Sequence, residues 1–174
     1  MPYHMIIDTE TTGLPNSQFA VPIQVAIVVI DGEGNLVHTD CWYVMPKTID
    51  TAEFARAKAV HGISLATLEE HAITMAASVE KLKQKWLSYG RPLLYAYNVS
   101  FDELMIARMG WAPGGYWGPC IMQAAGAFLS KPKKVKLVEA CQLLLVEGPG
   151  NAAHDALADA LAAMRVGLKV GVFV

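Results

Sequence analysis

The stretch Met5-Ile6-Ile7-Asp8-Thr9-Glu10-Thr11-Thr12-Gly13 runs from an apolar segment into two acids and a turn. Met5 to Ile7 read as a short buried strand. Side chains on a strand alternate faces, so Asp8 and Glu10 leave the same face, roughly 7 Å apart along the chain. Like charges at the end of a core strand repel each other and lose hydration. A divalent cation is the simplest compensation, and oxygen-only ligands suit Mg²⁺ or Mn²⁺ better than zinc. A solvated strand edge is the other reading of Asp-x-Glu. Thr11 to Pro15 leaves the strand as a turn, in which Gly13 permits a positive φ and Pro15 stops the strand from continuing.

Downstream, Val21 to Ile30 is β-branched and nearly continuous, which predicts a central strand buried on both faces. Asp31-Gly32-Glu33-Gly34-Asn35 is a hairpin turn, and Leu36 to Met45 returns as a third strand of an antiparallel meander. A helical pattern begins at Thr51 and leads into Val60-His61-Gly62-Ile63. Ser64 caps the next turn, and Met75 to Tyr89 forms a longer helix with Val79, Leu82, Trp86 and Leu87 at core spacing. Leu93 to Tyr97 is the fourth strand. Asn98 to Asp102 is a loop opening into a helix over Glu103–Met109. Trp117 to Met122 is read as a short fifth strand, followed by helices over Gln123–Leu129, Val138–Val146 and Asp155–Lys169. Strands first and βα units later predict an α/β sandwich with a mixed sheet.

The 174 residues fit one domain spanning 1–174, and a 53% hydrophobic content predicts a well-filled interior. Charged residues make up 17%, which argues against extended disorder. The net charge of −2 excludes a global basic field for nucleic acid, although two divalent ions would move it to +2. Cys41, Cys120 and Cys141 form no CxxC pair, so free thiols in a reducing cytoplasm are expected. The chain enters its first strand with no signal-peptide pattern. Its longest apolar run, Val25 to Ile30, is far short of the ~20 residues that span a bilayer. No membrane association is therefore expected. Nothing in the sequence sets an oligomeric state.

Two further acid positions suit a metal reading. Asp102 follows the fourth strand, where parallel α/β sheets place ligands, though a first-turn Asp also suits a helix N-terminus. His154 and Asp159 are five apart, about 140° around a helix. They converge only if His154 lies in the loop before the helix and Asp159 one turn inside it. Asp159 equally fits a solvated face with Asp155, Arg165 and Lys169.

Asp8-Thr9-Glu10-Thr11-Thr12-Gly13-Leu14, Asn98-Val99-Ser100-Phe101-Asp102 and the segment His154 to Asp159 resemble, in order and spacing, the three motifs of the DEDDh exonucleases. This family includes the proofreading subunit of bacterial DNA polymerase III. The resemblance covers essentially the whole chain, and the absence of a Tyr four before Asp159 is similar to the histidine subtype. It implies a ribonuclease-H-like fold: a mixed five-stranded sheet flanked by helices. It implies that Asp8, Glu10, Asp102 and Asp159 hold two Mg²⁺ or Mn²⁺ ions, and that His154 takes the proton of the attacking water.

Thr11, Leu14, His61 and Phe101 match family positions near the terminal nucleotide. There Leu14 wedges against a base and Phe101 packs by the sugar, though both would equally suit a core. The implied activity is 3′→5′ hydrolysis of single-stranded DNA ends, with RNA or short oligonucleotides as the near alternative. Proofreading would need a polymerase in trans. A non-catalytic nucleic-acid- or polymerase-binding module, and a structural domain with solvated acids, are the readings from other classes. Lys131, Lys133, Lys134 and Lys136 form the basic cluster, able to steer a phosphate backbone or to solvate a loop. The apolar tail Val170 to Val174 is either a docking strand or a packed end.

Overall fold

The computed structural model describes residues 2–131 and 134–173, so Lys133 of the basic cluster and Val174 of the tail lie outside the described residues. The meander forms as expected: β1 (His4–Thr11), β2 (Pro22–Ile30) and β3 (Leu36–Met45) pair antiparallel. β4 (Ile73–Thr74) joins β3 in parallel, and β5 (Leu93–Tyr95) joins β1 in parallel. The sheet order is β4-β3-β2-β1-β5. Every residue of β2 is buried, because helices cover both faces.

Alternation along β1 divides the core into two layers. Ile6 joins Ala26 and Val28 under α5 (Ile121–Phe128), α6 (Leu137–Leu144) and α7 (Ala156–Val170). Met5 and Ile7 join Val25 and Ile27 under α3 (Met75–Ser88) and α4 (Val99–Met109). Asp8 and Glu10 continue the Ile6 series and so face α7; Thr9 faces α4. A third cluster of Ile23, Phe54, Ile63 and Leu68 seats α1 (Thr51–His61) and α2 (Leu65–His71). Asp50 and Ser64 cap these two helices by accepting from the N–H groups of Glu53 and Thr67.

The structure corrects several expectations. The fifth strand is Ile73–Thr74, not Trp117–Met122, which makes a single bridge between Trp117 and Leu94. Pro119 offers no N–H to extend that pairing, and α5 starts two residues later. The fourth expected strand ends at Tyr95 rather than Tyr97, because the N–H groups of Ile121 and Met122 take the carbonyls of Ala96 and Tyr97. α4 begins at Val99, not Glu103, which puts Asp102 in a helical first turn rather than a loop. Leu87 is 50% exposed, so the buried stripe of α3 is narrower than its periodicity implied. Gly13 does not adopt positive φ. A Cβ there would meet the Glu53 carboxyl, the movable end of a flexible side chain. The tail is a packed end as far as it is described. Val172 is buried and the Phe173 ring packs edge-on against Tyr95.

Candidate active site

Three elements deliver the four acids to one cleft of about 250 Å³ at the end of β1. Asp8 and Glu10 come from β1, Asp102 from the first turn of α4 and Asp159 from the first turn of α7. Asp102 is 3% exposed and accepts a hydrogen bond from the Thr9 hydroxyl at 2.9 Å. Thr9 thus ties the α4 acid to the strand that carries the other two. His154 precedes α7 with φ of 67°. Its backbone N–H donates to Asp159 Oδ2 at 3.1 Å, which closes the loop over the helix start. A non-glycine residue in that region costs on the order of 1–3 kcal/mol, and such strain persists only where surrounding bonds over-determine it. The loop and the helix therefore bring together two residues that no single helical face could. Glu10, His154 and Asp159 each place a ligand atom within 4.8 Å of the others.

No lysine or arginine among the described residues lines this cleft. Burial, then the charges of Asp102, Asp159 and Glu10, push Asp8 well above the usual carboxylate range. Burial and Asp159 push Glu10 up to about 8. Burial raises Asp102 to about 7 against the opposing Thr9 hydrogen bond. Asp159 is also raised by burial, with the His154 N–H opposing. Burial, joined at Asp8 and Glu10 by repulsion between the acids, holds these carboxyls above their usual range, with no described lysine or arginine lining the cleft to offset it. An all-oxygen donor set carrying this excess of negative charge fits one or more hard divalent cations.

A second cleft, of about 630 Å³, adjoins the first through Glu10, Thr11 and Phe101. Leu14, His61 and Thr11 line it, so all four residues assigned to substrate from the sequence share one hollow beside the acids. Leu14 projects with 68% exposure, which excludes an ordinary core role. His61 Nδ1 accepts the Ile63 N–H at 3.0 Å, whereas its buried Nε2 has no partner among the described residues. Burial lowers the His61 pKa, which keeps the ring neutral, and with Nδ1 accepting the ring proton sits on Nε2.

Three supports carry no motif in the sequence. Gln24 on β2 donates to Asp155 Oδ2 and accepts the Ala156 N–H. Arg108 on α4 donates to the carbonyls of Pro15, Ser17 and Ala20 in the loop that carries Leu14. The Tyr97 hydroxyl donates to the Val135 carbonyl at 2.7 Å. An amphipathic reading gives a buried Gln or a helix-end Arg no distinctive signal.

This sheet order, with helices on both faces and acids gathered at the end of β1, is the ribonuclease-H-like α/β fold. Among solved structures, the chain is similar to exonuclease I. The zinc-bound E. coli exonuclease I complex with single-stranded DNA has a TM-score of 0.78 at 18% identity, covering 98% of this chain and 40% of that one. The E. coli enzyme in complex with a dA16 oligonucleotide gives 0.77 at 18% identity, with 97% and 41% covered. The moderately thermophilic exonuclease I from Methylocaldum szegediense gives 0.76 at 18% identity, with 98% and 40% covered. The chain thus spans about two-fifths of the length of these proteins. No family model and no curated protein matches the sequence.

Proposed function

We propose that this protein is a metal-dependent 3′→5′ exonuclease of the DEDDh type, releasing nucleoside 5′-monophosphates from single-stranded DNA. The observation that carries this reading is the adjacency of the two clefts: four carboxylates and one imidazole beside an apolar hollow of nucleotide size. Asp8, Glu10, Asp102 and Asp159 would hold two Mg²⁺ or Mn²⁺ ions, which supply Lewis-acid stabilisation of the attacking and departing oxygens. His154 takes the proton of the attacking water, and Glu10 and Asp159 beside it stabilise the imidazolium that results. The terminal nucleotide lies in the larger cleft, with Leu14 against its base, Phe101 by its sugar, and Thr11 and His61 as polar partners. The solved single-stranded DNA complexes of exonuclease I support DNA as substrate.

Cys41, Cys120 and Cys141 are unpaired, which suits the reducing cytoplasm where such an enzyme would serve a polymerase supplied in trans. No described helix is long and apolar enough to cross a membrane. The test uses 5′-labelled DNA and RNA of one sequence in Mg²⁺, in Mn²⁺ and in EDTA. A metal-dependent ladder of shortening products, lost in Asp8→Ala and His154→Ala, is expected, with DNA cut faster than RNA. No cleavage of either strand, with metal still bound, would overturn the reading in favour of a binding module.

A further inference from the structure

We propose that Lys134 and Lys136 form a phosphate-binding site for the part of the single strand that lies 5′ of the scissile bond, an assignment that rests on the nuclease reading above. The geometry of the two clefts sets the direction. The terminal nucleotide occupies the hollow on the Leu14 and His61 side of the acids. The rest of the strand then leaves along the part of the acid cleft that the larger hollow does not share, where Tyr97, Asn98 and Leu137 line it.

Lys136 directly precedes Leu137 and has extended backbone, φ −68° and ψ 151°. Between the two lysines, Val135 is 1% exposed and its carbonyl holds the Tyr97 hydroxyl. The segment is thereby pinned to a residue of the acid cleft. In an extended segment with Val135 directed inward, its two neighbours are directed outward. Lys134 and Lys136 are both exposed, and neither forms an ion pair among the described residues. Lys131 is excluded from the site because it pairs with Glu139 at 2.7 Å. Two exposed cations beside a cleft whose carboxyl groups face no described lysine or arginine supply the charge complementarity a polyanion needs to approach it. A backbone contact of this kind is independent of sequence.

The experiment compares the wild type with Lys134→Gln/Lys136→Gln and Lys134→Arg/Lys136→Arg on two substrates. A dinucleoside monophosphate carries only the scissile phosphate, whereas dT16 carries upstream phosphates as well. The Gln pair should cleave the dinucleotide at the wild-type rate. On dT16 its salt slope should be shallower by about 1.4, because each single-strand phosphate contact contributes about 0.7. Between roughly 50 and 200 mM salt, wild-type affinity for dT16 should fall about sevenfold more than that of the Gln pair. The Arg pair should behave as wild type. Equilibrium binding of labelled dT16, read by fluorescence anisotropy, gives the same slopes without turnover. It therefore decides the matter even if the nuclease reading fails. An unchanged salt slope in the Gln pair, or equal losses on both substrates, would overturn the assignment.

Discussion

Gln24 clamps Asp155 from across the sheet: its side-chain nitrogen donates to Asp155 Oδ2 at 3.1 Å while its oxygen accepts the Ala156 N–H at 3.1 Å. Gln24 is 3% exposed and sits opposite Glu10 in the β1–β2 ladder. Asp155 in turn caps α7 by accepting the Ala158 N–H. The residue before it is His154, with its positive φ. One buried amide therefore connects β2, at the position paired with Glu10, to the loop that carries the proposed base.

Gln24→Leu should preserve the side-chain volume but leave the Ala156 N–H and Asp155 without their partner. An unsatisfied buried polar group costs about 1–3 kcal/mol, so the melting temperature should drop. The effect on catalysis should fall mainly on kcat, because His154 loses its fixed position while the nucleotide cleft is untouched. Steady-state kinetics beside a thermal melt separate the two. A variant that melts lower yet keeps its kcat would show that Gln24 only stabilises the fold.

The parts of the site visible in sequence are those whose residue type and spacing are both constrained. Asp-x-Glu on an alternating strand must face one way, and His154 and Asp159 must bracket a helix start to meet at all. The supports were not legible. Gln24 interrupts an apolar strand, and only the register of β1 against β2 reveals that it reaches the start of α7. Arg108 reads as a last-turn basic residue of α4, and nothing local says that its partners are carbonyls some ninety residues earlier. The misplaced fifth strand has the same origin. A two-residue pairing at Ile73–Thr74 leaves no periodic trace, whereas Trp117 to Met122 has strand-like composition but a proline where pairing must continue.

Arg108→Lys tests the hold on the loop that carries Leu14. The guanidinium reaches three carbonyls, at 2.7 Å to Ser17, 3.0 Å to Ala20 and 3.0 Å to Pro15. An ammonium cannot reproduce that planar fork. The larger cleft should loosen on its Leu14 wall, raising KM several-fold with a smaller change in kcat. The same variant should bind nucleoside 5′-monophosphate product more weakly in an inhibition assay. Unchanged KM and product inhibition would place the loop outside the substrate's reach.

Thr9→Val removes the hydroxyl that donates to Asp102 while keeping the side-chain shape. That bond opposes the upward shift of Asp102, so its loss should raise the carboxyl further above about 7. Cation binding requires the ionised form. Mn²⁺ affinity, measured by titration calorimetry, should therefore weaken several-fold at neutral pH and recover toward wild type at about pH 9, where the carboxyl has lost its proton in either protein. A loss of equal size at both values would mean that Thr9 acts only by packing.

The acids also set how stability depends on pH. Glu10 is raised to about 8 and Asp102 to about 7, and both would titrate near 4 in the unfolded chain. Between those limits the folded state keeps protons that the unfolded state has lost. Stability therefore falls as pH rises from about 4 toward 8, opposite to the usual behaviour of salt-bridged carboxylates. The metal-free protein should melt lower at pH 8 than at pH 5.5. Added Mg²⁺ or Mn²⁺ should raise the melting temperature strongly at pH 8 and weakly at pH 5.5, because binding to the folded state must displace those protons. Glu10→Gln should flatten the metal-free profile between these values and remove much of the stabilisation by metal. Differential scanning fluorimetry across this range reads all three effects. A metal-free melting temperature that climbs through the same window would mean that the carboxylates ionise freely without a cation, and that their clustering does not require one.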